Sequence, residues 1–220
     1  MYGNTLTRSL EAFGQMVRRP HHGARWISDR LGKKSPIEQG LPWTSWTIID
    51  YLRKNIKPGM RVFEWGGGGS TLFWARLGCR VTCCESNEYW KDQIAKRIKD
   101  AHPDLADKVE FRFVPAETKD PSAVRAYIES VRDGAPWDVI LVDGLEEDYI
   151  SRMDCLKLAP ACIAPEGMVL LDDSWRPRYD EAPTIMLTEA SSSSACTIEP
   201  PTAASAGLIH SSSSVAGVIG

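Results

Sequence analysis

The stretch "VFEWGGGGSTLFWA", residues 62–75, decides how this chain is read. An apolar run ends in Glu64-Trp65 and meets four consecutive glycines, Gly66 to Gly69, before a second apolar run that begins with Ser70 and Thr71. Glycine adopts positive φ without strain and presents its amide N–H with no Cβ in the way. Between a strand and a helix, such a turn predicts a ligand lying on the backbone itself. Glu64 adds a carboxylate, expected at the mouth of the turn. That charge repels a pyrophosphate and suits a ligand bearing ammonium or sulfonium charge.

Outward from this turn, strand and helix patterns alternate. "MRVFEW" (60–65), "CRVTCCE" (79–85), "KVEFRFV" (108–114), "WDVILVDG" (137–144) and "GMVLLDDS" (167–174) read as strands. "STLFWARLG" (70–78), "NEYWKDQIAKRIKDA" (87–101), "DPSAVRAYIESVRDG" (120–134) and most of "DYISRMDCLKLAPACIAPEG" (148–167) read as the helices between them. Five such alternations predict the α/β class: a doubly wound, mainly parallel sheet joined by right-handed crossovers. The unbroken apolar runs "VILV" and "MVLL" fit strands covered on both faces. Ahead of them, Trp46, Ile49, Leu52 and Ile56 recur at helical spacing until Pro58-Gly59 ends the pattern. In this architecture ligands bind beyond the carboxyl ends of the strands. Those ends carry Glu64, Glu85, Glu117, Asp143 and the pair Asp172-Asp173.

A dinucleotide site wants G-x-G-x-x-G. Here Gly66-x-Gly68 is followed by Thr71 and Gly67-x-Gly69 by Leu72, so neither frame supplies the third glycine. No Tyr-x-x-x-Lys pair follows the fourth strand, and an NAD-dependent oxidoreductase is the disfavoured alternative. Glu85, 21 residues after Glu64, stands where an acid can accept from both ribose hydroxyls of a nucleoside ligand.

These residues together resemble the class I methyltransferases that use S-adenosylmethionine (SAM). The sequence E-W-G-G-G-G-S looks like that family's first motif, E-x-G-x-G-x. Glu85 looks like the acid of its second motif, and "WDVILVDG" and "GMVLLDDS" look like its fourth- and fifth-strand motifs. The likeness runs from about residue 36 to 180. It implies a Rossmann-like fold with an atypical C-terminus and SAM as cofactor. It further implies that Gly66, Gly67 and Gly68 pass under the methionine part with Glu64 near its amino group, and that Ser70 belongs to the same cofactor set. Glu85 would hold the ribose, Glu117 would border the adenine, and Asp143 would face the methyl-donor end. Trp43, Asp172 and Trp175 are expected at the acceptor side. The acceptor is expected to be a small molecule or sugar-like, and the sequence assigns no catalytic residue.

Asp143, Asp172 and Asp173 are oxygen donors of the kind that suits Mg²⁺ or Ca²⁺. Some small-molecule O-methyltransferases of the superfamily place an Asp-Asn pair after the fifth strand, whereas the second position here is Asp173. The histidine that follows "VDG" in a related sugar-methylating group is Leu145 here. A metal is therefore not expected.

The 220 residues suffice for one sizeable core, and a net charge of −3 gives no global reason to expect nucleic acid as partner. Cys79, Cys83, Cys84, Cys155, Cys162 and Cys196 show no C-x-x-C spacing and are expected to be reduced and mostly buried. No apolar stretch reaches the length of a membrane span, and the cytoplasm is the expected location. Residues 1–35 form a basic leader, with Arg8, Arg18, Arg19, Arg25, Arg30, Lys33 and Lys34 against Glu11 and Asp29. Residues 36–183 form the expected SAM-binding domain. All 26 Lys and Arg residues lie at or before Arg178, and the Ser/Ala-rich tail, 184–220, is read as disordered or weakly structured, with "TIMLT" (184–188), "AGLIH" (206–210) and "VAGVIG" (215–220) able to form only short, poor strands, and as a shifted reading frame or late replacement. That reading leaves the fifth strand with an open edge and raises one further alternative, a non-catalytic SAM-binding relic.

Overall fold

The computed structural model describes residues 36–44, 46–174, 176–182, 196–198, 206–211 and 215–219. The basic leader, Trp175 and the "TIMLT" run at 184–188 lie outside the described residues. Among the described residues two helices precede the sheet, α1 (Pro36–Gln39) and α2 (Trp46–Asn55). The alternation then runs β1 (Arg61–Trp65), α3 (Gly69–Arg76), β2 (Arg80–Glu85), α4 (Glu88–Ala101), β3 (Val109–Phe113), α5 (Pro121–Glu129), β4 (Trp137–Val142), α6 (Arg152–Leu158) and β5 (Ile163–Leu171). These five strands are parallel in the order β3-β2-β1-β4-β5. The order reverses direction at β1, between β2 and β4, which puts the switch point at the glycine turn. The fold is Rossmann-like.

Alternation along each strand divides the core into two layers. Val62, Val139, Leu141, Met168 and Leu170 pack with α2, α3 and α4, around Leu52, Phe73, Trp74, Ile94 and Ile98. Phe63, Trp65, Ile140, Val142, Val169 and Leu171 face the opposite way, toward Tyr127, Val131, Met153 and Leu156 of the α5–α6 side. The period of two therefore sends Glu64, which shares its face with Val62, under α3 rather than out into the cleft.

The last crossover differs from the expectation. The stretch 148–167 reads as mainly helix, whereas α6 covers only Arg152–Leu158 and β5 begins at Ile163. Pro160 has no N–H for an i→i−4 bond, so the chain leaves the helix after one short 3₁₀ turn. Ile163 pairs with Trp137, and the register then shifts before Val139 meets Met168.

The tail carries β6 (Cys196–Ile198), β7 (Ala206–Ser211) and β8 (Val215–Ile219), the last two on the "AGLIH" and "VAGVIG" runs. β8 runs parallel to β5, from Met168 paired with Val215 to Leu171 paired with Val218, while β7 and β6 follow antiparallel. The edge of β5 is thus paired rather than open. Composition argues about side-chain packing, whereas strand pairing needs only the backbone N–H and C=O that nearly every residue supplies.

Candidate functional site

The four glycines of the turn are not equivalent. Gly66 has φ +82, and a Cβ there would stand 2.4 Å from the Asp143 carbonyl oxygen. Its N–H donates to the Cys84 carbonyl at 2.9 Å. A Cβ on Gly67 would meet Cys83 Sγ at 2.5 Å, Ile94 Cδ1 at 3.0 Å and Thr71 Oγ1 at 3.1 Å. Both positions are glycine because the protein itself crowds them. Gly68 is different: a Cβ there would have nothing within 4 Å. Of Gly66, Gly67 and Gly68, only Gly68 turns bare backbone toward open space. Gly69 is the first residue of α3.

Glu64 is fully buried. Its carboxylate accepts from Ser70 Oγ at 2.8 Å and from the Thr71 hydroxyl, which in turn accepts from the Gly68 N–H at 3.0 Å. Burial raises its pKa to about 7 against the lowering effect of these hydroxyls. The sequence expectation of a carboxylate at the mouth is therefore corrected: Glu64 lies beneath the turn and holds the start of α3. Ser70, 5% exposed, serves the same internal bond.

Glu85, at the tip of β2, accepts the Gly67 N–H. It is 5% exposed, and burial raises its pKa to about 7 although three backbone N–H groups favour its ionised form. Asn87 caps α4 by accepting from Trp90 N at 2.9 Å, and its amide donates to both oxygens of the exposed Glu117 at 3.2 Å. Trp90 Nε1 donates to the Gly67 carbonyl at 3.0 Å, and the residue is 42% exposed. The tips of β1, β2 and β3 are thus tied into one wall that contains Gly67, Glu85 and Glu117.

Across the switch point, Asp143 follows β4. Arg152 Nη2 lies 2.9 Å from Asp143 Oδ1, while Nη1 lies 3.3 Å from Asp172 and 3.5 Å from Asp173. Its Nε donates to the Gly144 carbonyl at 3.1 Å. One guanidinium therefore gathers three of the strand-tip carboxylates. Burial and the charge of Asp172 hold Asp143 well above the usual carboxylate range, outweighing the opposing pull of Arg152. Asp173 is also paired to Arg176. Among the described residues no group of His, Cys, Asp and Glu is arranged to hold a metal ion.

Trp43 is 82% exposed in the link between α1 and α2. Cys79, Cys83, Cys84, Cys155 and Cys162 are free and buried. Trp90, Asn87, Thr71 and Arg152 belong to the site and escaped the sequence reading. Asn87 could have been found as the residue preceding a helical pattern. Trp90, three residues later, and Arg152, at the start of α6, have no local signal, because their partners are 23 and 9 residues away and on other elements.

No family model matches the chain, and no curated protein does. Several solved structures are similar to it. A methyltransferase-like protein from Silicibacter pomeroyi DSS-3 is 26% identical over 65% of this chain and 79% of its own, with a TM-score of 0.49. Coclaurine N-methyltransferase, bound to N-methylheliamine and SAH, is 23% identical over 57% of this chain and 34% of its own, with a TM-score of 0.42. A mycobacterial quinone oxidoreductase is 26% identical over 55% of this chain and 33% of its own, with a TM-score of 0.32.

Proposed function

We propose that this chain is a SAM-dependent methyltransferase acting on a small-molecule or sugar-like acceptor. The observation that carries the reading is the bare Gly68 backbone at the switch point, flanked by the carboxylates of Glu85 and Glu117 on one side and Asp143 on the other. A cleft with this balance of charge favours a ligand with a cationic amino-acid end and disfavours a pyrophosphate. That supports SAM over NAD.

In this reading the backbone at Gly68 and the start of α3 receive the amino-acid part of the cofactor. Glu85 accepts from ribose hydroxyls with the lone pairs that Gly67 leaves free, since a carboxylate offers about four acceptor sites. Glu117 borders the adenine, and Asp143 faces the reacting end. The bound cofactor supplies an electrophilic methyl group. Displacement at that carbon needs in-line approach and exclusion of water more than a dedicated acid or base, so the chain contributes mainly by positioning. Asp172 and Trp43 are assigned to the acceptor side. The carboxylates at the strand tips weigh against a polyanionic acceptor.

Calorimetric titration of the full chain with SAM, its demethylated product and NAD tests the proposal. Saturable binding of the first two, with NAD at least ten-fold weaker, is the expected result, and ten-fold corresponds to about 1.4 kcal/mol. Preferential NAD binding would overturn it.

A further inference from the structure

The amino ends of the strands carry a second feature, at the opposite end of the sheet from the glycine turn. Arg61 of β1 pairs in register with Arg80 of β2, and Lys108 immediately precedes the residue of β3 that pairs with Val81. Three cations therefore stand side by side across three adjacent strands, at a spacing of about 4.8 Å. Alternation turns Arg61 and Arg80 to the same face as Phe63, Trp65 and Cys84, which is the α5–α6 face.

That face is open at its lower end. α5 ends at Glu129, and a short 3₁₀ turn leads to Gly134, so among the described residues no α-helix covers the starts of β1, β2 and β3 on this face. A cavity of about 800 Å³ lies there, lined by Arg61, Arg80, Lys108 and Arg112 among its cations and by Asp107 and Glu110 among its acids. Glu110 is already paired with Arg112 at 2.7 Å, and Arg112 also reaches Asp133 at 3.1 Å. Arg61 donates to the carbonyl of Pro136 at 3.1 Å and to that of Gly134, both neutral groups. Among the described residues neither Arg61 nor Arg80 nor Lys108 forms an ion pair. Neighbouring like charges on one sheet face repel each other, and in a parallel sheet such a face is ordinarily apolar and covered. A row of three cations facing a cavity is the arrangement that an anion would neutralise.

We propose that this cavity is an anion site for a compact phosphate-bearing ligand, gripped by Arg80 and Lys108 with Arg61 beside them. Its volume suits a nucleotide-sized molecule. The row spans three strands and is bounded by the turns at Gly59, Gly78 and Gly134, which favours a compact ligand over an extended nucleic-acid strand. The site is independent of the SAM proposal, because Arg61, Arg80 and Lys108 stand at the far end of the strands.

The test is calorimetric titration of the full chain with inorganic pyrophosphate and, separately, with adenosine monophosphate. The variants are R80Q, K108Q, the double variant, and K96Q on α4 as a control for general charge. One-to-one saturable binding is expected, weakened about three-fold in each single variant and at least ten-fold in the double variant, with K96Q unchanged and all melting curves intact. Stronger adenosine monophosphate than pyrophosphate binding would identify a nucleotide as the source of the phosphate, and the reverse a free phosphate. The proposal is overturned if no saturable binding occurs, if R80Q and K108Q bind like wild type, or if a twelve-nucleotide single-stranded RNA binds more tightly than both small ligands.

Discussion

The Gly67 N–H donates to the Glu85 carboxylate, so the turn after β1 and the tip of β2 move as one unit. The same carboxylate that fixes the turn is the one assigned to the ribose, and burial sets its pKa near 7. Ligand hydroxyls would favour the ionised form. SAM affinity is therefore expected to rise with pH through the region of 7 and to fall up to ten-fold per unit on the acid side. Calorimetry at pH 6, 7 and 8 in buffers of different ionisation enthalpy checks this through proton release on binding. E85Q should flatten the profile and weaken binding at pH 8 by ten-fold or more. A pH-independent affinity in the wild type would show the ribose assignment wrong.

The glycines separate packing from binding. G66A forces a Cβ against the Asp143 carbonyl at positive φ, where the neighbour is backbone and cannot swing aside. A loss of roughly 2 kcal/mol or more of stability is expected from the strain and the clash. G68A meets no atom of the chain, and its backbone is extended. Its melting temperature should stay within a few degrees of wild type while SAM affinity drops at least ten-fold. Unchanged SAM binding in a folded G68A would remove the ligand from that backbone.

W90F keeps most of the ring and deletes one hydrogen bond, from Nε1 to the Gly67 carbonyl. About 1 kcal/mol of stability is expected to go with it. Because the bond holds the turn and not the ligand, a several-fold weakening of SAM through increased turn mobility should accompany it. Hydrogen exchange at Gly67 and Gly68 reads that mobility directly.

R152M removes the shared partner of Asp143, Asp172 and Asp173. A loss of roughly 2–3 kcal/mol is expected near pH 8, below the 3–5 kcal/mol typical of fully buried pairs because Asp143 keeps 34% of its side-chain surface. The sign with pH follows from the orphaned carboxylates. Without the guanidinium they repel when ionised and relax when protonated, so the deficit against wild type should shrink as pH falls from 8 to 5. Denaturant melts at both values decide it.

Glu64 shows where reading the chain worked and where it failed. Its position before four glycines marked the turn, and the alternating strand and helix patterns placed that turn at the switch point of a parallel sheet. Hydrophobic periodicity is a local property, and "VFEW", "VILV" and "MVLL" carry it in full. The direction of the Glu64 carboxylate is not local in that sense. It depends on which face of β1 α3 covers, and α3 brings Ser70 and Thr71 onto it. For the same reason the roles of Gly66 and Gly67 came from Asp143 and Cys83, on strands paired to either side. The end of α6 at Leu158, by contrast, is legible in Pro160.

The sequence by itself determined the alternation of elements, the glycine turn and the carboxylates at the strand tips, because propensity, period and turn chemistry act over a few residues. The tertiary structure alone decided that Arg152 gathers Asp143, Asp172 and Asp173, that Trp90 holds the turn, and that Arg61, Arg80 and Lys108 share a row. Each of those joins residues from separate elements, and strand order and register are fixed by the burial of two whole core layers rather than by any short stretch.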